Sequence, residues 1–414
     1  QRFLEKNTNI TKEAQLQLSN YIQELSGGKI SLARWNQINS ELKKTERTMG
    51  ALGRLGKSFS EQIKEIGKNV TSYLSISSVF MSLISKTRES ITELKDLDSI
   101  LTEISKTSNL TEQQLKNLGS SSFDSASKYG KVASDYLVGV QEMFRAGYRN
   151  AEKMSELSIL AQAAGDLDAN TANDYLIATD AAYNLKGNIE ELNKVLDGQN
   201  FITNNAAVSM LDMAQATSEA ASIASQYGIK IDELSSLIAV ATSKTRESGS
   251  ETGTALKALF VNLQDTTSKP IKEAFDAVNI SMTEMVNGAE KLKSPIQLLK
   301  ELSDAFVSLD EGDARRANIL SDIGGKHHAN TLSAILSDWS SYEKMIGLYS
   351  HGIGSAAQEA EKSSKNWEGS MNRLSNTWTS TVNNIANSDA IITSINSING
   401  VISVVDKLTN ALGS

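Results

Sequence analysis

A chain of 414 residues with 40% apolar side chains is long enough for two or three domains and can bury a sizeable core. Its net charge of −8 argues against a general electrostatic attraction to nucleic acid, and the lack of cysteine excludes disulfides and thiol nucleophiles. Only two prolines, Pro270 and Pro295, and 6% aromatic residues suit long helices better than sheets, so the expected class is all-α.

No charged-then-apolar leader follows Gln1, so no signal peptide is visible. With no initiating Met, the sequence is expected to be an excerpt of something longer. Glu13 to Leu25 is amphipathic through Leu16, Leu18, Ile22 and Leu25, and Gly27-Gly28 stops it. A second helix is expected from Ser31 through Met49. Leu52, Leu55, Phe59, Ile63, Ile66, Val70 and Leu74 then keep three-to-four spacing, which Phe80, Ile84, Ile91, Leu94, Leu101 and Ile104 prolong. The least polar run, Asn69 to Ser85, carries six serines and falls short of the roughly 20 mainly apolar residues a membrane span needs. Residues 1–105 therefore read as an N-terminal helical or coiled-coil arm. Its basic run Lys43-Lys44-Thr45-Glu46-Arg47 alternates with acid and reads as a solvated face.

From about Leu110 the pattern shortens into compact helices, and residues 106–350 read as a core domain, an irregular bundle of short helices rich in small residues. Thr111-Glu112-Gln113-Gln114 has the form of a capping box. Val132 to Ala146 presents Tyr136, Val140, Met143 and Phe144 on one side and closes at Gly147. Met154 to Ala164 turns Leu157, Leu160, Ala161 and Ala164 inward, and Gly165-Asp166-Leu167-Asp168 leads into Ala172 to Leu185. Leu211, Ala214, Ala221, Ala224 and Ser225 recur at helical spacing before Gly228, where a left-handed cap is expected. Ile231, Leu234, Ile238 and Ala241 stripe the next helix, with Lys244 and Arg246 near its C-terminus. A polar, glycine-containing loop from Ser248 to Thr254 then admits a helix whose buried face is Ala255, Leu256, Leu259, Phe260 and Leu263. No fixed repeat period emerges, so a stacked solenoid is not expected.

Past Lys269-Pro270, a short helix over Ile271 to Val278 is entered by proline at its first turn, and Ser294-Pro295 repeats the device. From Ala356 one long helix is expected through Ile385, striped by Ala360, Ser364, Trp367, Met371, Leu374, Trp378 and Val382. Ile391, Ile395, Ile398, Ile402, Val405 and Leu408 prolong it. Residues 351–414 thus read as a long helical C-terminal arm.

Little of this suggests chemistry. His327 and His328 are adjacent and would point about 100° apart on a helix, with no His-Glu-x-x-His or cysteine cluster to support a metal. His351 sits close to two glycines in an expected loop. Gly249 to Gly253 has the glycines of a phosphate loop but lacks its Gly-Lys-Ser/Thr ending and a preceding strand. Glu190-Glu191 and Asp310-Glu311 read as solvated helix starts, not a glycosidase pair. No catalytic residue, cofactor site, metal site or small-molecule substrate is expected.

The stretch from 206 to 263 and its flanks resemble the core of phage tail tape measure proteins of the large lactococcal-phage type. That family has an Ala-rich helix ending in glycine, a second helix of small and aliphatic residues, and a Gly-Ser-x-x-Gly-Thr-Ala-Leu segment opening a third. Here these read as Ala221 to Gly228, Ile231 to Thr242, and Gly249-Ser250-Glu251-Thr252-Gly253-Thr254-Ala255-Leu256, with Thr252 where the family commonly has Ala. Ala146-Gly147 and Gly165-Asp166-Leu167-Asp168 resemble further family steps, and the likeness runs collinearly over much of residues 95–385. Ile319 to His328 resembles the family's Leu-Phe-Gly-Lys segment, with an extra glycine. On this resemblance Gly147, Gly165, Gly228, Gly249, Gly253 and Thr254 are the motif turn positions. It implies a structural protein of a phage or prophage that sets tail tube length, scaffolds tail assembly and takes part in genome ejection. Implied partners are further copies of itself, the tail tube protein, tail assembly chaperones and distal tail proteins, with contact to phage DNA or the host membrane during ejection. The implied location is the tail lumen, and the host cytoplasm during assembly. Two other classes stay open: a helical coiled-coil signalling or secretion-associated protein, and a segment of a helical cell-wall hydrolase.

Overall fold

The computed structural model describes residues 93–94 and 96–386. The expected N-terminal arm up to residue 92, the run Asn69 to Ser85, and the continuation past residue 386 lie outside the described residues. Among the described residues the elements, in sequence order, are α1 (residues 96–107), α2 (Glu112–Ser127), α3 (Ala133–Arg145), α4 (Ala151–Gly165), α5 (Ala169–Tyr183), α6 (Ile189–Thr203), α7 (Met210–Gln226) and α8 (Ile231–Thr245). They continue with α9 (Gly249–Leu263), α10 (Lys269–Asp276), strands β1 (Thr283–Val286) and β2 (Ala289–Leu292), α11 (Pro295–Ser308), α12 (Ala314–Ile323), α13 (Gly325–Leu336), α14 (Trp339–Ser350), α15 (Ser355–Ser364) and α16 (Trp367–Ala386). The fold is all-α apart from one small hairpin.

The protein divides into two compact units. One runs to Leu137 and resumes at Ser363, and the other is Val138–Lys362. In the first, α16 packs on α2. Asn376 ties the turn after α2: its Oδ1 accepts the Ala133 N–H at 3.2 Å, and its Nδ2 donates to the Lys131 carbonyl at 2.7 Å and to Ser127 Oγ at 2.9 Å. A buried amide that meets its partners this fully fixes one geometry, since each unmade bond would cost about 1–3 kcal/mol.

Helix ends in both units follow a common scheme. Gly130, Gly147 and Gly228 have φ of 71°, 88° and 76°. At each, the residue after the glycine donates to a carbonyl five positions back and the glycine to one three back: Tyr148 to Met143 and Gly147 to Phe144, Ile229 to Ala224 and Gly228 to Ser225, Lys131 to Ala126 and Gly130 to Ser127. These are Schellman closures, which absorb orphan carbonyls and need a left-handed residue that glycine adopts without steric cost. At the starts, the capping box of Thr111 and Gln114 is formed, and Asp168, Asn188, Ser209, Ser248 and Ser294 cap the next helices with their side chains. Pro270 and Pro295 lie in first turns, where a missing N–H costs nothing.

The core of the second unit is built on α7, which packs against α5, α6, α8 and α9. Ala214, Ala216, Ala220, Ala221 and Ala224 are fully buried along it. Inside runs a polar ladder: Tyr175 Oη donates to Gln199 Oε1 at 2.7 Å, and Gln199 Nε2 donates to Ser235 Oγ at 2.8 Å and Thr217 Oγ1 at 3.2 Å. Four helices thereby share one hydrogen-bonded network, which selects a single register among small-residue faces that could otherwise slide.

Three sequence expectations need correction, and one element has no counterpart among them. Leu211 is 41% exposed, and Met210 and Met213 are the residues that face inward in the first turn of α7. Ser248 to Thr254 is not a loop: Ser248 is the N-cap and the helix begins at Gly249. The long helix expected from Ala356 is broken into α15 and α16, because Asn366 caps the second by accepting the Gly369 N–H at 2.8 Å. The hairpin was not foreseen. Its strands pair from Thr283 opposite Leu292 to Val286 opposite Ala289, and Asn287 and Gly288 have φ of 50° and 79°, as a type I′ turn requires.

Asp338 caps α14 and reaches Lys244 near the end of α8 at 2.8 Å. The Lys244 hydrogen bond, helped by Ser341, holds its carboxyl well below the ordinary carboxylate range. A depressed folded pKa means that the contribution is present above the unfolded value and is lost as pH falls through and below it. Asp338→Asn should therefore lower the urea midpoint at neutral pH by the equivalent of roughly 1 kcal/mol, with the gap from wild type closing below pH about 4.

Candidate functional site

The tightest contact in the second unit is the crossing of α7 and α9. Ser248 Oγ accepts the Glu251 N–H at 3.3 Å while Glu251 Oε2 accepts the Ser248 N–H at 2.9 Å, so the start of α9 is set by a capping box. The next N–H, of Gly249, donates to Asp212 Oδ1 at 2.9 Å. A Cβ on Gly249 would lie 2.2 Å from the Asp212 carbonyl oxygen and 2.5 Å from its Cα, and one on Gly253 would lie 2.8 Å from the Cα and carbonyl oxygen of Ala216. Both glycines thus face backbone, one helical turn apart on each helix. Lys257 continues the line by pairing with Glu219 at 3.1 Å. Thr252 is fully buried, and its hydroxyl accepts from the Thr242 hydroxyl at 3.2 Å, so neither polar atom is left unpaired.

The motif positions do not gather into one pocket. Gly249 and Gly253 lie together against α7. Gly147 and Gly228 end α3 and α7, with open space where a Cβ would be. Gly165 is the last residue of α4, where a Cβ would crowd Met210 Cγ at 2.4 Å, and the left-handed residue there is Asp166 with φ 51°. Thr254 is exposed and lines a cleft of about 310 Å³ with Glu247, Ser250, Glu251, His327 and His328.

That cleft brings His327 and His328 beside Glu247 and Glu251. The acids are already engaged: Glu247 Oε2 accepts the Thr331 hydroxyl at 2.9 Å, and Glu251 is held by Ser248. The imidazole centroids stand 6.4 Å apart. Among the described residues, no group of three or more His, Asp or Glu is placed to hold a metal ion. His351 follows α14, with Nδ1 2.6 Å from the Gly347 carbonyl. Several carboxyls titrate below their ordinary range for local reasons: Asp168 through the Thr171 hydroxyl, Glu251 through the Ser248 backbone, and Asp313, lowered to about 2, through Arg315. Each is a helix-start interaction.

A second close approach escaped sequence reading. Asp197, 2% exposed, accepts the N–H of Gly354 at 2.9 Å and of Ala356 at 3.0 Å, while Asn200 Oδ1 accepts the Ser355 hydroxyl at 2.6 Å. A Cβ on Gly198 would meet the Tyr349 ring at 2.7 Å, and one on Gly352 the Asp197 carbonyl oxygen at 2.5 Å. The polar run Asp197-Gly198-Gln199-Asn200 on one helix was the available signal, since four such residues in sequence cannot all face solvent.

Residues 123–325, just under half of the 414, match the family model described as phage-related minor tail protein. The match supports a phage tail protein. The matched stretch runs from the last turns of α2 to the first residue of α13, and it contains all six motif positions and the α7–α9 crossing. No solved structure matches the chain. Among its described residues, no helix is long and apolar enough to cross a membrane.

Proposed function

We propose that the protein is part of a tape measure protein of a phage or prophage tail, setting tube length, scaffolding tail assembly and taking part in genome ejection. The observation that carries the reading is the match of residues 123–325 to a minor tail protein family, over a stretch whose motif glycines sit at a helix crossing and at helix ends. In this reading the compact helical units are folded nodes, residues 1–105 act as a helical arm, and the C-terminal arm expected from residue 351 begins only after Lys362, because residues 351–362 belong to the second unit. A helix advances by a fixed step per residue, which converts sequence length into distance. The role needs no catalytic residue. The partners are copies of itself, the tube protein, assembly chaperones and distal tail proteins, with DNA or host membrane met during ejection. The site of action is the tail lumen, after assembly in the host cytoplasm.

The test is an in-frame deletion within residues 1–105, made in the phage and read by electron microscopy of tails. Tubes should shorten by about 1.5 Å per residue removed. Tails of unchanged length would exclude a ruler role for that segment.

A further inference from the structure

The hairpin carries a reactive pair that the proposed function leaves unused. We propose that Asn287-Gly288 is a site of spontaneous deamidation whose product undoes the hairpin. Asn287-Gly288 is the only Asn-Gly pair among the described residues, and both residues are exposed at the turn. In the reaction the Gly288 nitrogen attacks Asn287 Cγ. A bond forms between that nitrogen and Cγ, the bond from Cγ to the amide nitrogen Nδ2 breaks, and ammonia leaves with the proton lost by the Gly288 nitrogen. Water then opens the five-membered imide at either carbonyl, giving aspartate or isoaspartate. One water is consumed, one ammonia is released, and nothing is oxidised or reduced.

Three features of the fold favour this site over other asparagines. Beyond its chain neighbours, no atom lies within 4 Å of a Cβ position on Gly288, so that side of the turn is open. A two-stranded ribbon is marginal in water, so the backbone rotation that ring closure needs is reached by local opening. Exposed Asn205 and Asn279 are followed by Ala206 and Ile280, whose side chains obstruct the same attack, and the Asn205 amide also donates to the Phe201 carbonyl at 2.8 Å. The product matters because a type I′ turn has two residues and no slack. An isoaspartate routes the backbone through Cβ and Cγ, lengthening the turn and removing the pairing of Val286 with Ala289. The hairpin walls a cleft of about 810 Å³ through Thr283, Glu290 and Leu292, so its loss opens that cleft.

The experiment incubates the full-length protein in mildly alkaline buffer made with heavy-oxygen water, followed by peptide mapping with isoaspartate detection. Labelled aspartate and isoaspartate should accumulate at 287 before any conversion at 205 or 279. Conversion at 287 no earlier than at those positions would overturn the proposal. Gly288→Ala should abolish the early signal. Alanine at φ 79° strains the turn and promotes opening, so a loss of signal can be assigned to the obstructed nitrogen. Undiminished conversion in that variant would overturn it as well. Asn287→Asp adds the charge without the extra backbone atom, and amide exchange across residues 283–292 should keep its wild-type rate in it and become faster in aged protein. Equal loss of protection in the two would overturn the backbone-insertion account.

Discussion

Gly249→Ala should destabilise the Val138–Lys362 unit by about 3 kcal/mol, the upper part of the usual range for overpacking. The added methyl meets the Asp212 backbone at 2.2 Å, and neither α7 nor the capped first turn of α9 can retreat without loss. Moving α9 outward would stretch the Gly249 N–H to Asp212 Oδ1 bond and unseat Gly253 from Ala216 one turn on. Gly147→Ala is the informative comparison. Its φ of 88° makes alanine costly by roughly 1–2 kcal/mol, but nothing stands near the new methyl. Denaturant midpoints, with hydrogen exchange read on α7 and α9, should rank Gly249→Ala as the worse of the two. The reverse order would mean that the helices do not approach this closely.

Asp197→Ala should cost about 3 kcal/mol, because it strands the buried N–H of Ala356 and the half-buried N–H of Gly354, and an unmet buried group costs about 1–3 kcal/mol. The loss should be local: exchange of amides 351–356 should rise well before that of α7 and α9. Asp197→Asn keeps one carbonyl oxygen and should fall between wild type and the alanine variant. If exchange at 351–356 were unchanged in Asp197→Ala, the carboxylate would not be what holds this turn.

Much of the fold was legible because its signals are local. Thr111 with Gln114, the two Ser-Pro or Lys-Pro starts, and the closures at Gly147 and Gly228 are each written within about six residues, and each is formed. What escaped depends on a partner far away in sequence. That Leu211 faces outward is decided by which neighbours α7 meets, and periodicity alone leaves the phase of a stripe free when Met, Leu and Ala all recur. Gly249 and Gly253 lower helix propensity in the Ser248 to Thr254 segment, yet close contact with α7 offsets that cost. The hairpin had its signal in Asn287-Gly288, overlooked beside so helical a composition. At the candidate site Gly249 and Gly253 were legible as motif positions, whereas their place on a helix facing Asp212 and Ala216 was not.

The closures that end the helices bear on how the molecule is made. Since each reversal is specified by residues that leave the ribosome almost together, a helical hairpin can turn the right way before the third helix exists. Interactions of short sequence separation form fast and cost little conformational entropy. The growing polypeptide can therefore assemble stepwise from its N-terminal side, whereas the Asp197 clasp on the turn after α14, more than 150 residues downstream, must wait for that segment to be finished.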